Sequence, residues 1–392
     1  MTDFIQLHLL VSYPPSNLNR DDLGRPKTAV VGGRQRLRIS SQSLKRAWRT
    51  SELFEKYVNG AIGVRTRELG KFIQSSLMEG TPLPDLVNET GKNAGSRNAL
   101  SPEEAGKWAS KFVRMINKEK EEASSDNNAK KKKKSEVSDN ENPGENNLSI
   151  KQLTHFSPEE ISKIDTFLEI ISSGEKPDFK DEKDLFTTDQ SAVDIGMFGR
   201  MLASFPMYSV EAAVQVAHAF TVNQVAIEDD YFTAVDDLNR GVEDMGAGHL
   251  GEIEFGSGVF YLYICINRTL LLENVHGNVS LMSAALKGLV EAAAKVGPSG
   301  KQSTFASRAY ASYILAERGT QQPRSLSVSF LKPVRDEDML GKAIQKLDET
   351  RERFNKTYGA CADACKVLNV LSSDEEGCTL DELCTFVADE NV

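Results

Sequence analysis

The 392-residue sequence lacks any apolar run approaching the length that spans a bilayer, and its first residues carry neither a basic region nor a small-residue cleavage site. These absences predict a cytoplasmic protein with no membrane partner. Cysteine is scarce, and four of the five cysteines lie after position 360. An odd number crowded at one end does not suit a disulfide framework in a chain of this size, so we expect reduced thiols.

Recognisable metal and triad motifs are also missing. The spacings Cys361-x3-Cys365 and Cys378-x5-Cys384 lack the close CxxC pairs of zinc modules, so no metal is expected. His218 and His249 stand alone in the sequence, and such histidines are more often hydrogen-bonded structural residues than reactive groups. The sequence therefore predicts neither a catalytic residue nor a cofactor, and it favours a structural or binding protein over an enzyme.

The charge of the chain is unevenly distributed. A net charge of −10 would by itself argue against a nucleic-acid ligand, because binders of phosphate usually present a basic surface. Between Asn19 and Arg49, however, nine cations face two acids, a local balance of +7 that leaves −17 for the remainder. Such segregation suits a protein that holds one polyanion in one groove. The cations of this basic segment are Arg20, Arg25, Lys27, Arg34, Arg36, Arg38, Lys45, Arg46 and Arg49.

The first half of the basic segment reads as a loop between two strands. Phe4–Val11 alternates as a strand does, and the loop that follows contains three prolines and Gly24. Arg34–Ile39 also alternates, which places Arg36 and Arg38 on the side opposite its two apolar residues. The loop and one strand face are thus predicted to be basic.

The second half of the basic segment reads as a helix. Ser40 or Ser41 provides its N-cap, and the helix is predicted to run to about residue 58. Lys45 and Arg49 lie one turn apart on one side. The opposite, core-facing side carries Leu44 and Trp48.

Residues from about 60 to 184 read mostly as helices. Ser101 is an N-cap followed by proline and two acids, and its helix reaches about Lys118. Residues 118–147 contain almost no large apolar side chains and include the run Lys130–Lys134, so we predict a disordered insertion. One face of the preceding helix bears a basic stripe formed by Lys107, Lys111, Arg114 and Lys118.

Regular α/β patterns resume in the second half of the chain. They predict a buried strand at Gly258–Asn267, a helix at Val279–Val296, a strand at Leu326–Phe330 and a helix at Glu337–Tyr358. Strand-helix-strand patterns at both ends indicate an α+β protein whose split βαβ sheet is assembled from both termini. The helical region is then an insertion between the two halves.

Four sequence motifs together resemble those of the CasC family. They are NRDDLGRPKTAVVGGRQRLRISSQSLKRAWR from Asn19, FTAVDDL at Phe232–Leu238, GAGHLG at Gly246–Gly251 and EFGSGVFYLY at Glu254–Tyr263. The CasC family supplies the backbone subunit of the type I-E CRISPR Cascade surveillance complex. The similarity covers about the first fifty residues and roughly Val193–Asn267; the lysine-rich insertion departs from the family pattern.

The resemblance implies a hand-shaped fold. It has an RRM/ferredoxin-like palm, an inserted helical fingers domain and a protruding β-hairpin thumb. The implied divisions are palm at 1–59, fingers at 60–185, palm and web at 186–213, thumb at 214–251, palm again at 252–360 and a C-terminal helical tail at 361–392.

The resemblance also implies a function and a set of partners. Copies of the protein would stack head to tail along a CRISPR RNA, displace guide nucleotides at regular intervals and present the guide for pairing with target DNA. Other Cascade subunits complete the complex, and a separate helicase-nuclease would cut the DNA. Positions that match the RNA-contacting motif are Arg20, Lys27, Ser40, Gln42, Lys45 and Arg49, with Arg46 on the same helix and Met201 as a wedge beside the displaced nucleotide.

Each of these assignments has a simpler alternative. The basic segment could be a solvated face, Arg36 and Arg38 could pair with acids of a neighbouring copy, and Met201 could fill the core. Lys107, Lys111 and Arg114 could track target DNA or simply face solvent.

Two alternative functions also remain open at this point, a protein-only scaffold and a metal-dependent ribonuclease that uses Asp22. Against the ribonuclease, adjacent carboxylates such as Asp21 and Asp22 point to opposite faces of an extended chain and cannot share one metal.

Overall fold

The computed structural model describes residues 2–89, 95–118, 148–178, 182–188, 191–234, 249–372 and 377–389. The chain divides into two compact units. The palm unit comprises Met1–Gly60, Gly196–Phe198 and Ala212–Val392, and the helical unit comprises Ala61–Ile195 and Gly199–Glu211. The predicted insertion at 118–147 lies, after Lys118, outside the described residues.

Strands and helices are numbered in chain order over the described residues. The strands are β1 (Phe4–Ser16), β2 (Thr28–Val31), β3 (Arg34–Ile39), β4 (Val64–Thr66), β5 (Thr154–Phe156), β6 (Val214–Val216), β7 (Ala219–Thr221), β8 (Glu228–Ala234), β9 (His249–Asn267), β10 (Ala311–Gly319) and β11 (Ala364–Asn369). The α-helices are α1 (Ser41–Arg49), α2 (Glu52–Val58), α3 (Leu69–Glu79), α4 (Leu83–Val87), α5 (Pro102–Ile116), α6 (Pro158–Ser172), α7 (Val193–Phe198), α8 (Arg268–Asn274), α9 (Val279–Lys295), α10 (Gln302–Phe305), α11 (Met339–Tyr358) and α12 (Leu380–Ala388).

The palm is built on one antiparallel sheet in the order β11-β10-β1-β9-β7-β3-β2, with β6 and β8 also paired to β9. Its centre, β10-β1-β9-β7, follows the strand order of a ferredoxin-like fold, in which the first strand lies between the fourth and the third. Helices α1 and α2 follow the first strand, and α9 lies between the third and the fourth. The α+β class with a ferredoxin-like palm is therefore confirmed.

Strand β1 lies at the centre of this sheet and is covered on both faces. Ile5 and Leu7 on one side and His8 and Leu10 on the other are all fully buried. The strand continues to Ser16, past the predicted end at Val11, because it pairs with β9 as far as Gly256.

The predicted strand at Leu326–Phe330 is wrong. Residues Ser327–Phe330 form a short 3-10 helix, because the Ser325 hydroxyl accepts a hydrogen bond from the Ser327 N–H and the Tyr261 hydroxyl accepts one from the Leu326 N–H. The strand that pairs with β1 at this side of the sheet is β10. Its residues are buried on both faces, so it lacks the alternating pattern of a strand with one exposed face.

The single predicted helix after Ser40 is two helices in the structure. Ser40 caps α1, and Ser51 caps α2 by accepting a hydrogen bond from the Phe54 N–H at 3.2 Å. The C-terminal tail also differs from the prediction, since β11 pairs with β10 before the tail ends in α12.

The helical unit contains α3 to α6 around an apolar core. Ser101 caps α5 as predicted, and Phe112 on that helix is fully buried. Ser157 and Glu160 form a capping box at the start of α6. Among the described residues, no helix is long and apolar enough to cross a membrane.

Candidate nucleic-acid interface

Internal hydrogen bonds fix the loop that opens the basic segment. The Asn19 carboxamide oxygen accepts a hydrogen bond from the Ser40 N–H at 2.9 Å, which ties the loop to the start of α1. The Asp21 carboxylate accepts hydrogen bonds from the Leu23 and Arg25 N–H groups, both at 2.9 Å. Because these bonds hold the backbone, the exposed side chain of Arg20 is presented from an ordered loop.

Helix α1 is anchored by its apolar side, as predicted. Leu44 and Trp48 are buried, and the Trp48 indole N–H donates to the Val296 carbonyl oxygen at 3.1 Å. The opposite side of the helix carries Gln42 and Arg46, both exposed, and the half-buried Arg49. The predicted contacts on α1 therefore stand on a helix whose orientation is set by the core.

Two other predicted contact residues are less open to solvent. Ser40 is 8% exposed, and its hydroxyl accepts a hydrogen bond from the Ser43 N–H, so it acts first as the helix cap. Lys45 is half-buried, with its ammonium 5.4 Å from the centre of the Phe198 ring. Burial lowers the pKa of Lys45, and a partly desolvated cation interacts more strongly with a phosphate than a fully hydrated one.

A second cationic group lies where β3 meets β7. The Arg38 guanidinium donates to Nδ1 of His218 at 2.6 Å, and the Lys27 N–H donates to the Asn19 carbonyl oxygen at 2.8 Å. Burial and the charges of Arg38 and Lys27 lower the pKa of His218, so the imidazole is a neutral acceptor. His218 therefore has the structural role predicted for it, and it orients Arg38.

Not every cation of the basic segment belongs to a surface. Arg36 is fully buried, and its guanidinium donates to the carbonyl oxygens of Thr221 at 2.8 Å and Phe330 at 3.0 Å. The alternative in which it pairs with an acid of another copy is therefore wrong. Arg25 forms an ion pair with Glu254 at 3.1 Å. The basic surface is smaller than the count of cations suggests.

An open pocket of about 510 Å³ lies between the loop and α1. Arg20 and Arg46 both line it, although they are 26 positions apart in the sequence. Asp21 and Asp22 line it as well. Among the described residues, no three His, Cys, Asp or Glu side chains form a group that could hold a metal ion.

Met201, in the helical unit, is 75% exposed on a loop. Gln152 holds the loop by donating to the Met201 carbonyl oxygen at 2.8 Å and accepting from the Ala203 N–H at 3.1 Å. The buried Arg200 donates to Glu160 at 2.7 Å and to the Tyr208 carbonyl oxygen. Met201 is thus presented to solvent and does not fill the core. Sequence reasoning missed Arg200, which is a lone charge in an apolar stretch.

Helix α5 exposes the predicted basic stripe. Lys107 donates to Glu103 one turn earlier at 2.7 Å, and the Lys111 ammonium lies 5.3 Å from the centre of the Trp108 ring. Arg114 is exposed. These contacts are typical of a solvated helix face, and they are also compatible with a contact to the sugar-phosphate backbone of a nucleic acid.

The predicted thumb begins with palm strands, since β6 and β7 pair with β9 inside the main sheet. A hairpin follows, formed by β8 and the first part of β9, with Ala234 opposite His249. Its tip, 235–248, lies outside the described residues. The described arm carries two aromatic side chains, Tyr231 at 64% and Phe232 at 38% exposure.

The fold and the charge distribution together define a ferredoxin-like protein with a concentrated basic segment in an acidic chain. More particularly, the chain belongs to the family described as CT1975-like protein, whose model matches residues 5–385. Among curated proteins, none matches the chain.

Two solved structures resemble the chain over almost its full length. One is described as "CRISPR RNA-guided surveillance complex, pre-nicking"; it shares 27% sequence identity and a TM-score of 0.75, over 98% of this chain and 99% of that one. Another, "CRISPR RNA-guided surveillance complex", shares 22% identity and a TM-score of 0.57 over 98% of both chains. The second likeness bears on the fold alone.

Proposed function

We propose that this protein is the backbone subunit of a type I-E Cascade complex and that it binds the CRISPR RNA along its sugar-phosphate backbone. The observation that carries the proposal is the placement of Arg20, Arg46 and Lys45 on one ordered loop and one anchored helix of a chain whose net charge is −10. The family membership and the structural likeness to surveillance-complex chains support it.

The chemistry of these residues suits a backbone contact that is independent of sequence. Arginine and lysine form charge-assisted hydrogen bonds with phosphate oxygens, and Gln42 adds a neutral donor. Such contacts position a strand without reading its bases, which a guide of any sequence requires.

Met201 and the hairpin β8-β9 would displace single nucleotides of the guide. A hydrogen-bonded loop that presents an exposed methionine, and a hairpin arm with Tyr231 and Phe232, can each contact an unstacked base. Unstacking costs a few kcal/mol, which new contacts offset. Repeated in successive copies, this contact would divide the guide into regular segments.

The proposal also assigns the partners. Exposed guide bases pair with target DNA, the stripe of Lys107, Lys111 and Arg114 tracks the backbone of that DNA, and other Cascade subunits complete the complex. This subunit does not cleave nucleic acid, and a separate helicase-nuclease cuts the DNA.

The test compares the Lys45→Ala variant with wild type on two labelled RNAs of unrelated sequence, by fluorescence anisotropy over a salt series. Loss of one phosphate contact should weaken binding about tenfold for both RNAs and reduce the salt slope by about 0.7. The exposed Lys56, on α2 outside the basic segment, provides the matched control Lys56→Ala, which should bind as wild type does.

Two results would count against the proposal. One is a loss that depends on RNA sequence, since phosphate contacts carry no base information. The other is shortening of the labelled RNA in the presence of Mg²⁺, lost in Asp22→Ala, because it would make the protein a ribonuclease.

A further inference from the structure

The pocket beside the basic segment has a second wall from a distant part of the chain. Ser299 and Gly300, in the loop between α9 and α10, line it together with Arg20 and Arg46. About 250 positions separate the two walls in the sequence, so neither the charge pattern nor the motifs of the basic segment indicate this loop.

The 296–301 loop between α9 and α10 lies against Trp48 of the basic segment and against Leu18, the residue that precedes the segment. Its first residue, Val296, accepts the hydrogen bond from the Trp48 indole. At its far end, a Cβ on Gly300 would lie 2.5 Å from the Leu18 carbonyl oxygen, so the loop backbone approaches as closely as only glycine allows. The pocket is therefore a built feature with both walls fixed.

The loop presents unused donors. The Gln302 carboxamide donates hydrogen bonds to the Pro298 carbonyl oxygen at 3.1 Å and to the Ser307 hydroxyl at 3.2 Å, so it ties the loop to the residues that follow α10. Within the described parts of the chain, no hydrogen bond uses the backbone N–H of Ser299 or Gly300. Successive free N–H groups in a pocket that two arginines also line are suited to an anion.

The remaining lining indicates which anion. Hydroxyl groups of Ser43, Thr50 and Ser299 add polar contacts, and no aromatic side chain is present among the described residues that line the pocket. A base would lack a stacking partner there, so the chemistry favours sugar and phosphate. Asp21 and Asp22 both line the pocket and would repel a bare phosphate. The Asp21 carboxylate already accepts two backbone N–H groups, whereas that of Asp22 can accept a hydrogen bond from a ribose 2′-hydroxyl, which DNA does not have.

We infer that this pocket is a ribonucleotide subsite, in which Arg20, Arg46 and the 299–300 backbone hold one phosphate and Asp22 accepts the adjoining 2′-hydroxyl. At about 510 Å³ the pocket has the size of a small-ligand site. The inference rests on the proposed function, because it specifies how one part of the RNA strand is held and why RNA is preferred to DNA.

The first test places a negative charge in the pocket. Ser299→Asp should weaken binding of a labelled RNA about tenfold through repulsion of the phosphate. Ser303→Asp is the matched control, with the same charge change at an exposed position of the neighbouring helix that does not line the pocket. Melting temperatures of both variants would verify that they fold. Equal affinities of the two variants would overturn the phosphate site.

The second test uses RNA and DNA of one sequence. Asp22→Ala should lower the ratio of RNA to DNA affinity about fivefold, because one hydrogen bond to the 2′-hydroxyl is lost. An unchanged ratio would overturn the role of Asp22. Lys45 does not line the pocket. If Lys45→Ala weakens RNA binding as expected while both pocket tests fail, the subsite is refuted and the proposed function stands. Wild-type protein that binds no RNA would refute the proposed function.

Discussion

At the scale of single residues, cations that look alike in the sequence have different roles in the structure. Arg36 and Lys45 both belong to a run of basic residues, yet Arg36 is fully buried and bonded to two backbone carbonyls, whereas Lys45 is half-buried over an aromatic ring. Arg36 therefore contributes to stability, whereas Lys45 is the residue that we propose contacts the RNA.

This difference predicts opposite outcomes of mutation. Arg36→Met should lower the free energy of unfolding by on the order of 3 kcal/mol, because two buried carbonyl oxygens lose their donor. Its folded fraction should bind RNA as wild type does. Chemical denaturation measures the free energy of unfolding, and fluorescence anisotropy with a labelled RNA measures binding. Arg34→Ala, at an exposed position of the same strand, is the control for stability. A variant of Arg36 with full stability and weak RNA binding would contradict the assignment.

The sequence could predict the cationic character of Asn19–Arg49 and the anchoring of α1 by Leu44 and Trp48. It could not separate Arg36 from its neighbours, because the carbonyls that bind it lie about 185 and 294 positions away. The sequence could not predict the pocket wall at Ser299 and Gly300 either, because these residues lie about 250 positions after the basic segment.

At the scale of elements, the hairpin β2-β3 shows how a turn and a packing contact constrain one dipeptide. Gly32 and Gly33 form the two-residue turn, with φ of 59° and 73°, as hairpins of the favoured twist require. A Cβ on Gly32 would also meet the Leu331 carbonyl oxygen, whereas one on Gly33 would meet open space. The two glycines thus face different constraints.

Alanine substitutions at Gly32 and Gly33 should lower the free energy of unfolding by different amounts. Gly33→Ala should cost about 1 kcal/mol, because alanine is strained in a left-handed conformation. Gly32→Ala should cost on the order of 3 kcal/mol more, because the backbone of Leu331, just after the 3-10 helix, must also shift. Urea denaturation of both variants measures the difference. Equal losses of unfolding free energy in the two variants would contradict this prediction, because they would show that Leu331 moves aside at little cost.

Elements with strong local signals were predictable, and those decided by tertiary contacts were not. The caps at Ser101 and Ser40 marked α5 and α1 correctly. The alternation at Leu326–Phe330 suggested a strand, but serine and tyrosine hydroxyls bind its backbone and leave Val328 45% exposed. A local bond to Ser325 and a tertiary bond to Tyr261 together outweighed the apolar pattern there.

At the scale of the whole molecule, the palm is assembled from both ends of the chain. Phe4 on β1 lies opposite Asn267 on one side and Gly319 on the other. The sequence predicted a split sheet with a helical insertion, because strand-helix-strand patterns occur at both ends. It could not give the strand partners or the extent of β9, which runs on from the hairpin into the palm.

The central claim is that successive copies line the RNA, and nuclease digestion tests it most directly. Purified protein would be mixed with a long labelled RNA at rising ratios, digested, and the protected fragments sized. We predict fragment lengths that increase in equal steps as the ratio rises, because each added copy covers the same number of nucleotides. A single fragment length at every ratio, or no protected RNA at all, would contradict the claim.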